Sequence, residues 1–379
     1  RLLDGEKMTH VCEEFEISRK TGYKIWNRYQ QEGHKSLTDR SRKPHRFSNQ
    51  VPEQLERTIV RLKKEKPRWG AAKIRELVIR RYPHIHAPAV STVHAVLDRH
   101  GLVNCRRKRR RNKAQGTPLS QSRAPNDIWC TDFKGEFLLG NRKYCYPLTI
   151  SDHHSRMLLA VEGLESVKED GAIPIFERVF EEYGLPSAIR SDNGVPFAAV
   201  NGLFGLSRMA VWWLRLGIRL ERIKPGHPEQ NGRHERMHRT LKQATAKPSR
   251  ANFLQQQQAF DEFQEEYNTE RPHQALTMKT PSEVYRPSKR IYRGLEKLDY
   301  TMDDKVITVT TCGRICHKGK KISFSRVFTG QDVGITEVED NLWKVRFMDY
   351  DLGYFDQESG IFEPGTNPFI PKVLPMSPV

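Results

Sequence analysis

The sequence predicts a multidomain chain, with all-α units first, an α/β unit on a mixed sheet in the middle and a small all-β unit at the end. Three observations carry that expectation. A chain of 379 residues has room for more than one buried core. Its formal net charge of +18 is confined to one end: Lys plus Arg number 30 against 12 Asp plus Glu over residues 1–125, and 34 against 34 beyond. The apolar pattern also changes, from helical spacing before residue 104 to β-branched and aromatic runs from about residue 126.

Positive charge held in one segment marks a module for a polyanion, joined to a neutral part with another job. No run of about 18 apolar residues could span a bilayer, so a soluble protein without a membrane partner is expected. Six scattered cysteines suit a reducing compartment. Cys312, Cys316 and His317 lack the further ligands that a zinc site needs.

Residues 1–46 read as a first helix-turn-helix. Met8, Val11, Cys12 and Phe15 recur at helical spacing, and Ser18 caps a second helix. That helix has Tyr23, Trp26 and Tyr29 inward and Arg19, Lys20, Lys24 and Arg28 outward, toward DNA. Arg42 and Lys43 follow in a polar, proline-marked stretch suited to a DNA backbone.

Residues 47–103 form a second helix-turn-helix unit, of the winged type. Pro52 opens its first helix, Ser91 caps its third and Gly101 stops it. Ile59, Leu62, Ile74, Leu77, Val93, Val96 and Leu97 are its core, and Ser91, Thr92 and His94 are candidate DNA contacts. Residues 104–125 are a basic linker arm. Its Arg106, Arg107, Lys108, Arg109, Arg110, Arg111 and Lys113 repel one another and suit a phosphate-tracking or minor-groove role. A nuclear-localisation signal is the other reading of so dense a run.

Residues 126–295 follow as the α/β unit. Three antiparallel strands are separated by turns at Gly140-Asn141 and at Asp152 to Ser155, and the next helix closes at Gly184. A short strand ends at Asp192, a helix carries Trp212 and Trp213, and a last strand leads to a helix starting at Gly232. Asp132, between Trp129 and Phe133, is a carboxylate in an apolar strand, costly unless it is paired or binds a cation. Asp192 stands where a strand meets a loop, the edge at which open sheets bind ligands. Glu235 lies on one helical face with Arg239 and Lys242, a carboxylate for metal beside cations for phosphate.

The same helix also spells H-E-x-x-H from His234 to His238, a pattern in which two histidines hold zinc and the glutamate activates water. Zincin helices sit among apolar neighbours, whereas this one has little beyond Met237 and Leu241. Leu241 also stands where the extended pattern requires glycine. Zinc proteolysis is therefore set aside, and substitutions of His234 or His238 are expected to be mild.

WCTDFKG, IRSDNGVPF and PEQNGRHERMHRTLK, with YNTERPHQALTMKTPSEVYRP after them, together resemble the catalytic core of insertion-sequence DDE transposases of the retroviral-integrase type. The resemblance covers roughly residues 126–290. It implies an RNase H-like fold in which Asp132, Asp192 and Glu235 converge as a DDE triad on two Mg2+ ions, with Mn2+ as a substitute. It further implies that water frees a 3′-OH at the element's end and that this hydroxyl attacks target DNA.

By the same resemblance Arg239 and Lys242 hold the DNA strand, while Asn193, Asn231 and Gly232 shape the loops around the acids. The implied partners are terminal inverted repeats, target DNA and further copies of the chain, as a dimer or larger synaptic complex, in a bacterial cytoplasm at the nucleoid. A DNA-binding regulator with an inactive core is the competing reading. One departure stands out: 42 residues separate Asp192 from Glu235, more than the family usually has. The surplus is expected in PFAAVNGLFGLSR, as a longer loop near the site.

Asp152 is expected to be structural and His153 and His154 exposed in their turn; His227, before Pro228, is either a solvated loop residue or one that approaches substrate, and Trp212 and Trp213 are helix core or a lid contact. The RPHQAL segment, Arg271 to Leu276, closes the unit. Residues 296–365 are short alternating strands with close turns, predicting a small SH3-like barrel. Residues 366–379 form a proline-rich tail.

Overall fold

The computed structural model describes residues 1–38, 51–103, 119–133, 135–224 and 227–369. Arg42 and Lys43, the run from Arg106 to Lys113 and the tail beyond Phe369 lie outside the described residues.

Helices α1 (Met8–Glu14) and α2 (Arg19–Glu32) make the first unit. The Ser18 hydroxyl caps α2 by accepting from the Thr21 amide at 3.2 Å, as the sequence predicted. The contact between the helices is centred on Gly22, where any side chain would run into Cys12. Cys12 is buried, whereas Phe15 and Tyr23, both expected inside, are 60% and 53% exposed. Arg28 is a second correction. Its guanidinium donates to the Ser36 and Thr38 carbonyls at 2.7 and 3.1 Å, so it pins the turn after α2 instead of facing DNA.

Helices α3 (Glu53–Glu65), α4 (Ala71–Arg81) and α5 (Val90–Arg99) form the second unit. Ile59, Leu62, Ile74, Leu77, Val93, Val96 and Leu97 are all buried, with Trp69 beside them. Residues 51–103 contain no strand, so the expected wing is absent from this described segment. The cap of α5 is also corrected: Ala89 occupies that position, without a side-chain bond, because the helix starts one residue before Ser91. Ser91 and His94 are exposed and Thr92 is half-buried.

The central unit carries β1 (Trp129–Phe133), β2 (Phe137–Leu138), β3 (Tyr144–Asp152), β4 (Leu158–Leu164), α6 (Glu169–Tyr183), β5 (Ala188–Ser191), α7 (Arg208–Arg215), β6 (Arg219–Arg222), α8 (Gly232–Thr245), α9 (Phe253–Glu265) and α10 (Pro281–Val284). The main strand order is β4-β3-β1-β5-β6, with β2 extending the sheet alongside β3. β1, β3 and β4 are antiparallel neighbours, while β5 and β6 run parallel to β1. This is the mixed sheet the sequence predicted. Gly184, at φ 76°, ends α6, with its amide bonded to the Phe180 carbonyl.

α10 closes the unit onto its first strand. Thr280 and Glu283 form a reciprocal cap at its start, and the Asn126 side-chain oxygen accepts from Trp129 Nε1 at 3.0 Å and Tyr285 Oη at 2.8 Å. The Asp152 carboxylate is structural, as expected: it accepts from the Asn126 amide and from both the amide and hydroxyl of Ser155 at 2.6–2.7 Å.

The C-terminal unit contains β7 (Lys305–Thr308), β8 (Arg314–His317), β9 (Lys320–Ser323), β10 (Asp332–Glu339), β11 (Leu342–Phe347), β12 (Tyr350–Asp356) and β13 (Phe362–Pro364). Five of these form an open sheet in the order β13-β12-β11-β10-β7, and β8 and β9 pair only with each other. The expected SH3-like barrel is therefore corrected to an open antiparallel sheet plus a hairpin, since among the described residues no strand pairing joins the sheet's two edges.

α7 is shared between two cores. Met209 and Trp213 pack in the central unit, while Ala210, Val211 and Leu214 pack against Phe328, Val333 and Phe347 of the C-terminal unit. The surplus residues before α7 join that second cluster through Leu203, Phe204 and Leu206. The extra length thus lies against the C-terminal sheet. Among the described residues, no helix is long and apolar enough to cross a membrane.

Candidate active site

The site is built at the carboxyl edge of the parallel strands. β1 and β5 pair in register at Trp129 with Ile189 and at Cys130 with Arg190. β1 runs on to Phe133 and β5 ends at Ser191, so Asp132 near the end of β1 and Asp192 just after β5 both stand at the carboxyl ends of these neighbouring strands, where ligands of open α/β sheets bind. The Asp192 carboxylate accepts from the Gly194 amide at 3.1 Å, and a side chain at Gly194 would press within 3.0 Å of it. Glycine there lets the loop fold back over the acid. Asn193 fixes the same loop by donating to the Ile223 carbonyl at 2.7 Å.

α8 arrives at this edge from the other side. Glu235 is exposed in its first turn, and three residues on His238 Nδ1 lies 3.6 Å from Asp132 Oδ2. Arg239 and Lys242 are exposed on α8. Gly232 opens the helix, with buried Asn231 at its cap.

His234 and His238 of the H-E-x-x-H pattern are 2% and 1% exposed. The Thr149 hydroxyl reaches both rings, at 2.8 Å from His234 Nε2 and 2.6 Å from His238 Nε2, and the Ser151 hydroxyl is 2.8 Å from His234 Nδ1. These nitrogens are engaged by hydroxyls and by Asp132, which argues against zinc ligation. The Thr149 hydroxyl also donates to the Asp132 carbonyl at 3.0 Å, so the two rings, the hydroxyl and β1 form one buried network. Thr149 and Ser151 were missed in the sequence, although two hydroxyls at alternate positions of a buried strand share one face.

His153 is likewise corrected, from exposed turn residue to buried anchor. Its Nδ1 lies 2.8 Å from the Ser122 hydroxyl, its Nε2 lies 3.3 Å from Arg190 Nη1, and its carbonyl accepts from Arg233 at 3.1 Å. Burial, then the charges of Arg233 and Arg190, push its pKa down to about 3. Arg190 also pairs with Glu221 at 2.7 Å, and both bond the Ser120 backbone. The segment that emerges from the basic arm is thereby tied to the edge of the sheet.

Carboxylate oxygens suit hard cations such as Mg2+ and Mn2+. Asp132, 29% exposed at its side chain, and Asp192 fit that chemistry. Among the described residues, no three acidic, histidine or cysteine side chains are grouped closely enough to hold a metal ion.

A mixed sheet with two acids at its carboxyl edge and helical units before it defines a candidate polynucleotide-acting enzyme, and comparison with known proteins names the class. Residues 122–228 and 216–281 match families described as Integrase core domain, and residues 21–97 match a Homeodomain-like domain family. The chain is 27% identical over 243 residues to the Insertion element IS407 uncharacterized 31.7 kDa protein of Burkholderia multivorans, across 61% of this chain and 80% of that one. It is 23% identical to the Insertion element IS476 uncharacterized 39.2 kDa protein of Xanthomonas euvesicatoria, across 60% of this chain and 64% of that one. Among solved structures, the HTLV-2 integrase catalytic core domain in complex with magnesium covers 44% of this chain and 100% of its own, at 17% identity and a TM-score of 0.35. Residues 122–281 are thus similar to integrase cores, and the chain as a whole is similar to proteins of bacterial insertion elements.

Proposed function

We propose that this chain is a transposase that cleaves DNA at the ends of a mobile element and joins the freed 3′-OH to target DNA, using Asp132, Asp192 and Glu235. The observation that supports the reading is the parallel pairing of β1 with β5, since Asp132 lies near the end of the one and Asp192 just after the other, together with His238 of α8 at 3.6 Å from Asp132. Bound divalent metal, Mg2+ or Mn2+, would stabilise charge on the attacking and leaving oxygens of an in-line displacement. Glu235 would complete the acidic set from the first turn of α8. Arg239 and Lys242, one and two turns further on, would hold the strand's phosphates, and the hydroxyl-bound histidines keep α8 seated on β3.

The helical units and the basic arm would read the terminal inverted repeats, with Arg19, Lys20, Lys24 and His94 as exposed candidates. Joining requires two ends to be held together, so the working form would be a dimer or larger. The test is a strand-transfer assay with element-end DNA and Mg2+. Joined product is expected, and it should vanish on chelation. A regulator with an inactive core would bind the ends and yield no joined product.

A further inference from the structure

The seam between the second helical unit and the core gathers several cations, among which Lys73 and Arg271 both feel Glu266, an acid already paired with Lys66. Lys66 uses Glu270 and Glu266, at 2.7 and 3.1 Å, and Arg80 uses Glu283 at 3.1 Å. Deeper in the seam, the Lys73 ammonium lies 6.0 Å from the Trp69 ring centroid. The Arg271 guanidinium lies 6.0 Å from the Tyr267 ring, and the His273 ring meets the same tyrosine at 5.0 Å. Two buried nitrogens, His273 Nε2 and Arg156 Nε, have no hydrogen-bond partner among the described residues.

The electrostatics agree with that geometry. Burial and then Arg271 press Lys73 down to about 7. Burial, then the charges of Lys73, Arg271 and Arg156, press His273 to about 3. Arg156 is lowered to about 10 by burial first and Arg233 second. Partly buried cations that repel one another cost stability unless a counter-charge is supplied, and an unpartnered guanidinium N–H is a donor suited to a phosphate oxygen.

We propose that this seam binds a backbone phosphate of DNA, held by Arg156, Arg271 and Lys73 with neutral His273 donating through Nε2, so that one phosphodiester fastens the second helical unit to the core. The proposal rests on the chain acting on DNA and is independent of the chemistry at Asp132. It gives the RPHQAL segment a ligand in addition to its place in the packing.

The test uses the full chain and a short DNA duplex of arbitrary sequence, with binding followed across a salt series, and thermal melting with and without inorganic phosphate. Arg156→Gln and Lys73→Met should each flatten the slope of log K against log salt by about 0.9. Their melting points without DNA should hold or rise, because a buried repulsion has been removed. Unchanged slopes with lowered melting points would make these cations structural and overturn the proposal. Unchanged slopes together with phosphate-dependent melting that only the parent chain shows would assign the seam to a free anion and overturn it as a DNA site. The slope is read from binding alone, without joining, so failure of joining and failure of the seam are read separately.

Discussion

Asp132 on β1 and His238 on α8 approach to 3.6 Å between Oδ2 and Nδ1, and Thr149 on the neighbouring strand holds His238 from its other nitrogen. An acid of the proposed active site is thus linked through one imidazole to a hydroxyl on β3. The H-E-x-x-H pattern serves this contact, with its histidines turned toward the sheet.

One hydroxyl serving two rings makes Thr149 the more sensitive position. Thr149→Val keeps the shape and orphans one nitrogen on each histidine, for a loss of about 2 kcal/mol or more. Ser151→Ala orphans a single nitrogen and should cost about 1–2 kcal/mol. Urea unfolding of the two variants checks the order, and equal losses would remove the shared role of Thr149.

The Arg190–Glu221 pair is 2% and 7% exposed. Arg190→Met should cost about 3–5 kcal/mol, because it strands a buried carboxylate. Adding Glu221→Leu to that variant should restore a large part of the loss. Chemical denaturation of the single and double variants reads this directly, and a double variant no better than the single would place the energy elsewhere.

Stability should fall in acid through His153. Its folded pKa of about 3 lies below the ordinary 6.5, so the unfolded chain takes up a proton first. The stabilisation is fully present above about 6.5, declines as pH falls below it, and is lost through about 3. His153→Gln should flatten the dependence of melting temperature on pH in that window. A profile identical to that of the parent chain would exclude His153 as the titrating group.

α7 was legible as a helix from its apolar spacing, and Ser207 caps it by accepting from the Ala210 amide at 3.1 Å. Its double role was not. The pattern around Val211 and Leu214 shows that two faces are apolar without saying that one of them meets a different unit. Leu214→Ala should cost about 2–5 kcal/mol and expose residues 296–365 to early proteolysis. Cleavage elsewhere first would show that α7 does not hold that unit.

The mixed sheet was readable because three strand-like runs precede an alternation of helix and strand, and Asp132 stood out because an aspartate in an apolar run is an anomaly that needs a cause. The core of the second helical unit was readable because Ile59, Leu62 and Ile74 follow helical periodicity. Arg28, His153 and Phe15 were misread for a shared reason. Their burial is decided by partners that the fold brings close from beyond the next helical turn, or by a close approach at Gly22, and periodicity carries no sign of either. The open C-terminal sheet differs from the expected barrel because alternation predicts strands and leaves closure undetermined.

The most direct measurement compares Asp132→Asn, Asp192→Asn and Glu235→Gln in one strand-transfer assay with Mg2+, with binding to element-end DNA measured alongside. Each variant should bind the ends like the parent chain and give no joined product. Joining at the parent level by any of the three would contradict the account and remove that residue from the site.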